Sequence, residues 1–322
     1  MPDISFDFQA YIDQRKGADD ALARSGAAYA YPGDQRVLRT LSRVRPVTLA
    51  VEAAVRLQKS LLKSEVLGTT VKVTERQFPE LYQICVACAS RLHIPIPTVY
   101  VAPEVGALNA HTFGTNEDSF IVLNGVLVDH LSDEELHFVI GHECGHIQNN
   151  HVVFMTALYY LTYSANLFIR WIVTPAVMAL QSWSRRAEIT CDRAGLLCCG
   201  DLRSAQSALT HLALGSHRLS ERVNMEEYLK QLDEGMAGAG KVMELFRSHP
   251  YLPKRVQALR LFAETHYYQK AVGQQVELGE GQSLGWCDAR VKRLVSIFAD
   301  RKGGEPPQQP PRQEAPKGGD DA

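Results

Sequence analysis

No charge of either sign dominates this chain of 322 residues: 34 Lys+Arg stand against 36 Asp+Glu, a formal net charge of -2. Without a basic excess there is no electrostatic footprint for nucleic acid, and no nucleic-acid partner is expected. Cysteine is sparse and odd in number, seven in all. A disulfide framework is therefore excluded, and the thiols read as reduced in a reducing compartment. The opening residues MPDISFDFQAYIDQRKG hold acids and no apolar core, so no secretory signal peptide is expected. The chain has no Gly-rich phosphate loop, no G-x-S-x-G elbow and no dinucleotide fingerprint, which argues against the enzyme classes built on them. No segment repeats at a fixed period.

What is present is an ordinary globular composition, 45% hydrophobic and 22% charged. Periodicity predicts a helix over 46–63 with Pro46 in its first turn, a strand over 68–74 and a helix over 78–92. A short strand at 98–102 and two more at 107–114 and 119–127 follow, the last two joined by a polar TNED turn. Ser132 is placed as a helix N-cap, with Glu134 and Glu135 at the positive end of the dipole of a helix running to about Asn150. An apolar segment occupies 152–183, with Pro175 suited to the first turn of its second helix. A further helix is expected to begin near Ser184 and carry RRAEITCDRAGLL. The remainder reads as mostly helical, broken by SHPYLPKR at 248–255. Strands before helices indicate an α+β domain. The Pro- and Gly-rich stretch from Gly303 to Ala322 cannot form a core and is expected to be disordered.

The chemistry lies at 142–146, His-Glu-Cys-Gly-His. Positions i and i+4 share a helix face, so His142 and His146 can grip one ion. Glu143 then sits beside the metal, placed to take a proton from water. Zinc in such a site keeps one position open and lowers the pKa of its water toward ~7.

A catalytic zinc needs a third protein ligand. His151 lies five residues after His146, whereas the three-His pattern needs six. A downstream acid fits better. Glu188 and Asp192 are four apart on the expected helix; Glu188 can bind the metal, and Asp192 can accept the second ring N–H of a bound His.

HECGH followed by SRRAEITCDRAG, with the upstream run VYVAPEVGALNAHTFGTNEDSFIVLNGVLVDHLSDEELHFVIGHECGHI, resembles peptidase family M48, the zinc metalloendopeptidases that include CAAX-prenyl proteases and HtpX. The resemblance covers about 72–260. It implies one Zn2+ per chain on His142, His146 and Glu188, with Glu143 as general base and Asp192 as outer partner or proton donor. Cys191 departs from the small residue common before that Asp. The implied fold is an α+β zincin-like (gluzincin) domain over 71–300, a small mixed sheet above the active-site helix with a mostly helical lower half. An N-terminal helical or regulatory segment over 1–70 precedes it, and 152–183 forms an apolar helical insert. Asn109-Ala110-His111-Thr112 looks like the family's edge strand, so Asn109 and Ala110 are expected to bind substrate backbone, with His111 outside the site. His249, in a His-Pro segment like one the family carries, is expected to face the zinc, as oxyanion stabiliser or as a cap in a latent form. Arg255 reads as the partner of a structural acid.

The implied activity is endopeptidase cleavage of extended or misfolded polypeptide, in protein quality control. The alternative is a non-catalytic zinc-bound chaperone-like or membrane-associated module. Three readings of 152–183 stand open: a membrane hairpin, docking on a membrane surface or on a second copy, and a helical pair packed on the domain. The expected location is cytoplasmic, with peripheral attachment at the inner membrane face as an option. Cys85, Cys88, Cys198 and Cys199 are expected in the core, Cys144 facing away from the metal, and Gly145 at a close helix contact.

Overall fold

The computed structural model describes residues 27–43, 51, 68–103, 109–114, 119–163, 167–235, 244, 247, 249–274 and 281–296. The predicted helix over 46–63 (Val51 apart), the TNED turn, Ser248 and the tail from Gly303 lie outside the described residues. The chain is mostly helical with one small mixed sheet. Its elements are α1 (Pro32–Leu41), β1 (Val71–Lys72), α2 (Pro79–Leu92), β2 (Thr98–Ala102), β3 (Ala110–Gly114), β4 (Ser119–Asn124), α3 (Gly125–His130), α4 (Asp133–Gln148), α5 (Val152–Tyr163), α6 (Leu167–Cys199), α7 (Leu202–Leu214), α8 (His217–Ser220), α9 (Met225–Gly235), α10 (Leu252–Ala263), α11 (His266–Ala271) and α12 (Leu284–Val295).

The strands lie in the order β1-β2-β4-β3. β2 and β4 are parallel, and the outer pairings are antiparallel. β3 thus has one side paired to β4, with Thr112 opposite Ile121, and lies at the sheet edge among the described residues. β4 stops at Asn124 rather than continuing to Leu127. The Asn124 side chain accepts from Val126 N at 2.9 Å and so caps α3, ending the strand. β1 is two residues long where a strand over 68–74 was predicted.

α4 begins as predicted at Ser132, which forms a capping box with Glu135. Its buried residues include Leu136, Phe138, Val139 and Ile140, packed in the main core with Leu81, Ile84 and Cys88 of α2.

The helix expected at Ser184 is instead the second half of one 33-residue helix, α6, with Pro175 inside it. The apolar face explains the continuity. Leu180, Trp183 and Ala187 follow helical spacing and are fully buried against Leu38 and Leu41 of α1 and Ala157 and Leu158 of α5. Full burial of a large apolar side chain stabilises by roughly 1.5–3 kcal/mol. Leu180 and Trp183 together therefore offset the roughly 3 kcal/mol that a proline costs a helix interior. No helix among the described residues is long and apolar enough to cross a membrane.

α4 and α6 approach closely because glycine stands at their contact. A Cβ on Gly145 would lie 2.8 Å from that of Ala194, and one on Gly195 would lie 2.5 Å from Phe138 O. Cys85, Cys88 and Cys144 are buried free thiols, while Cys198 and Cys199, at the far end of α6, are only half-buried.

Candidate metal centre

His142, Glu143 and His146 occupy the inner face of α4 and are buried. The Nε2 atoms of both imidazoles face the Glu188 carboxylate of α6, His142 Nε2 at 3.6 Å from Oε2 and His146 Nε2 at 3.6 Å from Oε1. Tetrahedral ligands about 2.0–2.1 Å from zinc stand about 3.3 Å from one another, and each of these two nitrogen–oxygen spacings is close to that. Glu188 is 1% exposed, and neither of its oxygens has a hydrogen-bond donor aligned on it. Arg255 Nη1 and His249 Nδ1 lie near Oε2, and a cation held between the carboxylate and the two imidazoles would lower the cost of its burial further.

A cysteine competes for the third ligand position. His142, His146 and Cys191 also offer ligand atoms within 4.8 Å of one another. However, Cys191 Sγ lies 3.6 Å from His151 Nδ1, a nitrogen that itself contacts the Nδ1 side of His146. Burial and the surrounding carboxylates push the Cys191 thiol well above its ordinary pKa. Glu188 faces the Nε2 side of both rings.

Behind His142 stands a carboxylate–guanidinium pair. Asp192 Oδ1 lies 3.0 Å from His142 Nδ1. Arg255 of α10 donates to both Asp192 oxygens, at 2.9 Å from Nε and 2.6 Å from Nη2, and its Nη1 lies 3.2 Å from Glu188 Oε2. Arg255 was read from the sequence as the partner of a structural acid; its partners are the two acids of the site. Burial would raise Asp192, but Arg255 and His142 outweigh it and hold the carboxyl below its usual range. Burial likewise opposes ionisation of Glu188, and His249, Arg255 and His142 hold it well below the usual value.

Behind His146 the arrangement differs. α4 ends with Asn150 at φ +59°, a left-handed conformation Asn tolerates. His151 N then donates to His146 O at 3.0 Å and Asn150 N to Ile147 O at 3.3 Å, the paired bonds of a Schellman turn. The turn folds His151 back so that its Nδ1 lies 3.3 Å from His146 Nδ1. His151 Nε2 lies 3.0 Å from Asp34 Oδ2 of α1, and both side chains are fully buried.

Glu143 meets the sheet. Thr112 Oγ1 of β3 donates to Glu143 Oε2 at 2.5 Å and approaches Glu143 O at 3.3 Å. Ala110 and Thr112 are both buried; His111 and Phe113 contact the Tyr159 ring of α5. Asn109 is exposed and accepts from Asn124 N through its carbonyl. His249 is half-exposed, with Nδ1 2.8 Å from Glu188 Oε2.

The structure therefore brings together His142, Glu143, His146, Glu188, Asp192 and His249, and sets Asn109 and Ala110 at the start of the edge strand. Sequence reasoning missed the parts played by Arg255, Thr112, His151 and Asp34. For His151 a signal existed: Asn149-Asn150 after the motif is suited to a left-handed helix end. Nothing local marks Asp34, which lies 117 positions before His151.

Residues 75–263 match the sequence profile of peptidase family M48. The chain is similar to a plastoglobule-localized metallopeptidase 48 of the Arabidopsis thaliana chloroplast, 33% identical over 177 residues, which cover 54% of this chain and 51% of that relative. It is also similar to an HtpX protease homologue of Bifidobacterium longum, 26% identical over 225 residues, 60% of this chain and 73% of that protein. The chain thus spans about half of the first relative and about three quarters of the second. No solved structure matches it.

Proposed function

The chain belongs to peptidase family M48, and from that premise we propose that it is a zinc-dependent endopeptidase with a zincin-like, gluzincin-type site. The observation that carries the proposal is the convergence of His142 Nε2, His146 Nε2 and the buried carboxylate of Glu188. These three residues would hold one zinc per chain. A bound zinc supplies Lewis acidity, acidifying water and polarising a peptide carbonyl.

The chain's own groups do the rest. Glu143 accepts the proton of the attacking water and passes it to the leaving amine. Thr112 holds the Glu143 carboxylate in one orientation through its 2.5 Å bond. Asp192, clamped by Arg255, accepts from His142 Nδ1 and keeps Nε2 free for the metal. His249, half-exposed beside Glu188, donates to the oxyanion of the tetrahedral intermediate. The side of β3 away from β4, beginning at Asn109 and Ala110, pairs with an extended substrate backbone. Backbone recognition selects for unfolded chain over side-chain sequence, which favours misfolded polypeptide as substrate and protein quality control as the role. The location we propose is cytoplasmic, with peripheral attachment at the inner membrane face as the alternative.

The test is hydrolysis of unfolded casein by the zinc-loaded chain and by Glu143→Gln. The variant is expected to keep its zinc and lose on the order of 10²–10⁴-fold in turnover. Equal turnover overturns the assignment of the base. No turnover by either, with zinc bound, moves the reading to a non-catalytic zinc-bound binding module. His249→Ala is expected to lose on the order of 10²-fold in kcat with little change in KM.

A further inference from the structure

The metal centre described above leaves one buried set of polar groups unused, and it reaches outside the stretch that matches the family. Asp34 belongs to α1, 41 positions before residue 75, where the family match begins. Its carboxylate is fully buried. Trp183 Nε1 donates to Oδ1 at 2.8 Å and Thr190 Oγ1 to Oδ2 at 2.7 Å, both from α6. The remaining approach to Oδ2 is made by His151 Nε2 at 3.0 Å.

Proton inventory fixes the direction of this chain of groups. A metal-facing Nε2 on His146 needs a free lone pair, so its proton resides on Nδ1 in the neutral ring. That N–H faces His151 Nδ1 at 3.3 Å, which must then be an acceptor. His151 consequently carries its proton on Nε2, which lies 3.0 Å from an Asp34 carboxylate that only accepts, with the N–H not aligned on that oxygen. One set of tautomers, Nδ1–H on His146 and Nε2–H on His151, matches these contacts, with Cys191 Sγ, 3.6 Å from His151 Nδ1, as a second donor to that nitrogen.

We propose that Asp34 and His151 are positioning residues for the metal: they hold His146 in the Nδ1–H tautomer, so that the N-terminal segment carrying α1 is part of the metal centre. The inference rests on the zinc-site reading above. It goes beyond that reading in adding a carboxylate from outside the family-matched region and a histidine that is not a ligand. Outer partners of metal-bound histidines contribute about 10–100-fold in metal affinity.

The proposal is tested on the full-length chain by zinc competition against a chromophoric chelator, with folding followed by circular dichroism. Asp34→Asn presents either a donor to His151 Nε2–H or a donor to Trp183 Nε1–H, and cannot accept from both. Its zinc Kd is expected to rise about 10–100-fold, and the visible bands of the Co2+-loaded protein to shift. Trp183→Phe, which keeps the Asp34 carboxylate and the Thr190 bond to Oδ2, is expected to destabilise the fold while changing Kd far less. A folded Asp34→Asn protein with wild-type zinc affinity and an unchanged cobalt spectrum overturns the proposal. Should Asp34→Asn fail to fold, the wild-type zinc protein decides by imidazole 15N shifts at neutral pH: Nδ1–H on His146 and Nε2–H on His151 are expected, and Nδ1–H on His151 overturns it. If wild type binds no zinc, it is the metal reading that fails, a result distinct from either of these.

Discussion

The two imidazoles of the centre are backed by different parts of the molecule. His142 leans on Asp192, which is clamped by Arg255 from α10, so its support is charged, short and supplied from the C-terminal side. His146 leans on His151 at the end of its own helix, and through it on Asp34 from α1, so its support is longer and supplied from the N-terminal side. The first places a full positive charge between two buried carboxylates, where it bears on stability as well as orientation. The second contains one carboxylate already satisfied by Trp183 and Thr190. Similar imidazoles can thus be braced at unequal cost to the fold.

Breaking the His142 side is expected to have the largest effect. Arg255→Met strands the Asp192 and Glu188 carboxylates in the interior, and loss of one member of a buried ion pair costs roughly 3–5 kcal/mol. Urea unfolding of zinc-free protein should show it, with a smaller loss when zinc is present to neutralise Glu188. A loss below about 1 kcal/mol would place the support of His142 elsewhere.

Metal removal sharpens the contrast. Zinc at about 100 times its Kd should raise the stability of wild type by about 2.7 kcal/mol. For Asp34→Asn at the same zinc concentration, a Kd weakened tenfold reduces this gain by about 1.4 kcal/mol. Thermal melts with and without a chelator check both figures.

A change common to both sides comes next. Gly195→Ala places a Cβ against Phe138 O at the α4–α6 contact and should cost about 1–3 kcal/mol by overpacking. Because α4 carries both imidazoles and α6 carries Glu188, zinc affinity should fall as well, with neither support singled out.

The smallest effect serves as the control. Asp201 caps α7, accepting from Ser204 N at 2.8 Å, remote from both supports. Asp201→Ala should cost about 1 kcal/mol and leave zinc affinity unchanged. Partial burial pushes the Asp201 carboxyl up, but the Ser204 bonds outweigh it and its pKa is lowered. Its contribution is therefore complete above the unfolded value of about 3.9 and fades as pH falls through the lower folded value. The difference between variant and wild type should vanish in strong acid.

The parts of the centre legible in the sequence are those whose geometry is local. His142 and His146 share a face because a helix repeats every 3.6 residues, and Ser132 with Glu135 announces where that helix begins. Glu188 and Asp192 follow the same rule. Arg255, Thr112 and Asp34 obey no spacing, since they arrive through the packing of α10, β3 and α1 on the pair α4–α6. The boundary errors have a common cause. Asn124 ended a strand that β-propensity would prolong, because its side chain caps a helix. At Pro175 and Ser184, buried apolar contacts overrode local signals for a helix start.

The unbroken course of α6 has a geometric consequence. Thirty-three residues make a rod about 50 Å long, with Met178 on an exposed stretch and Glu188 ten residues further along. The exposed patch at Met178 and the buried carboxylate thus stand on one continuous element, about 15 Å apart along its axis.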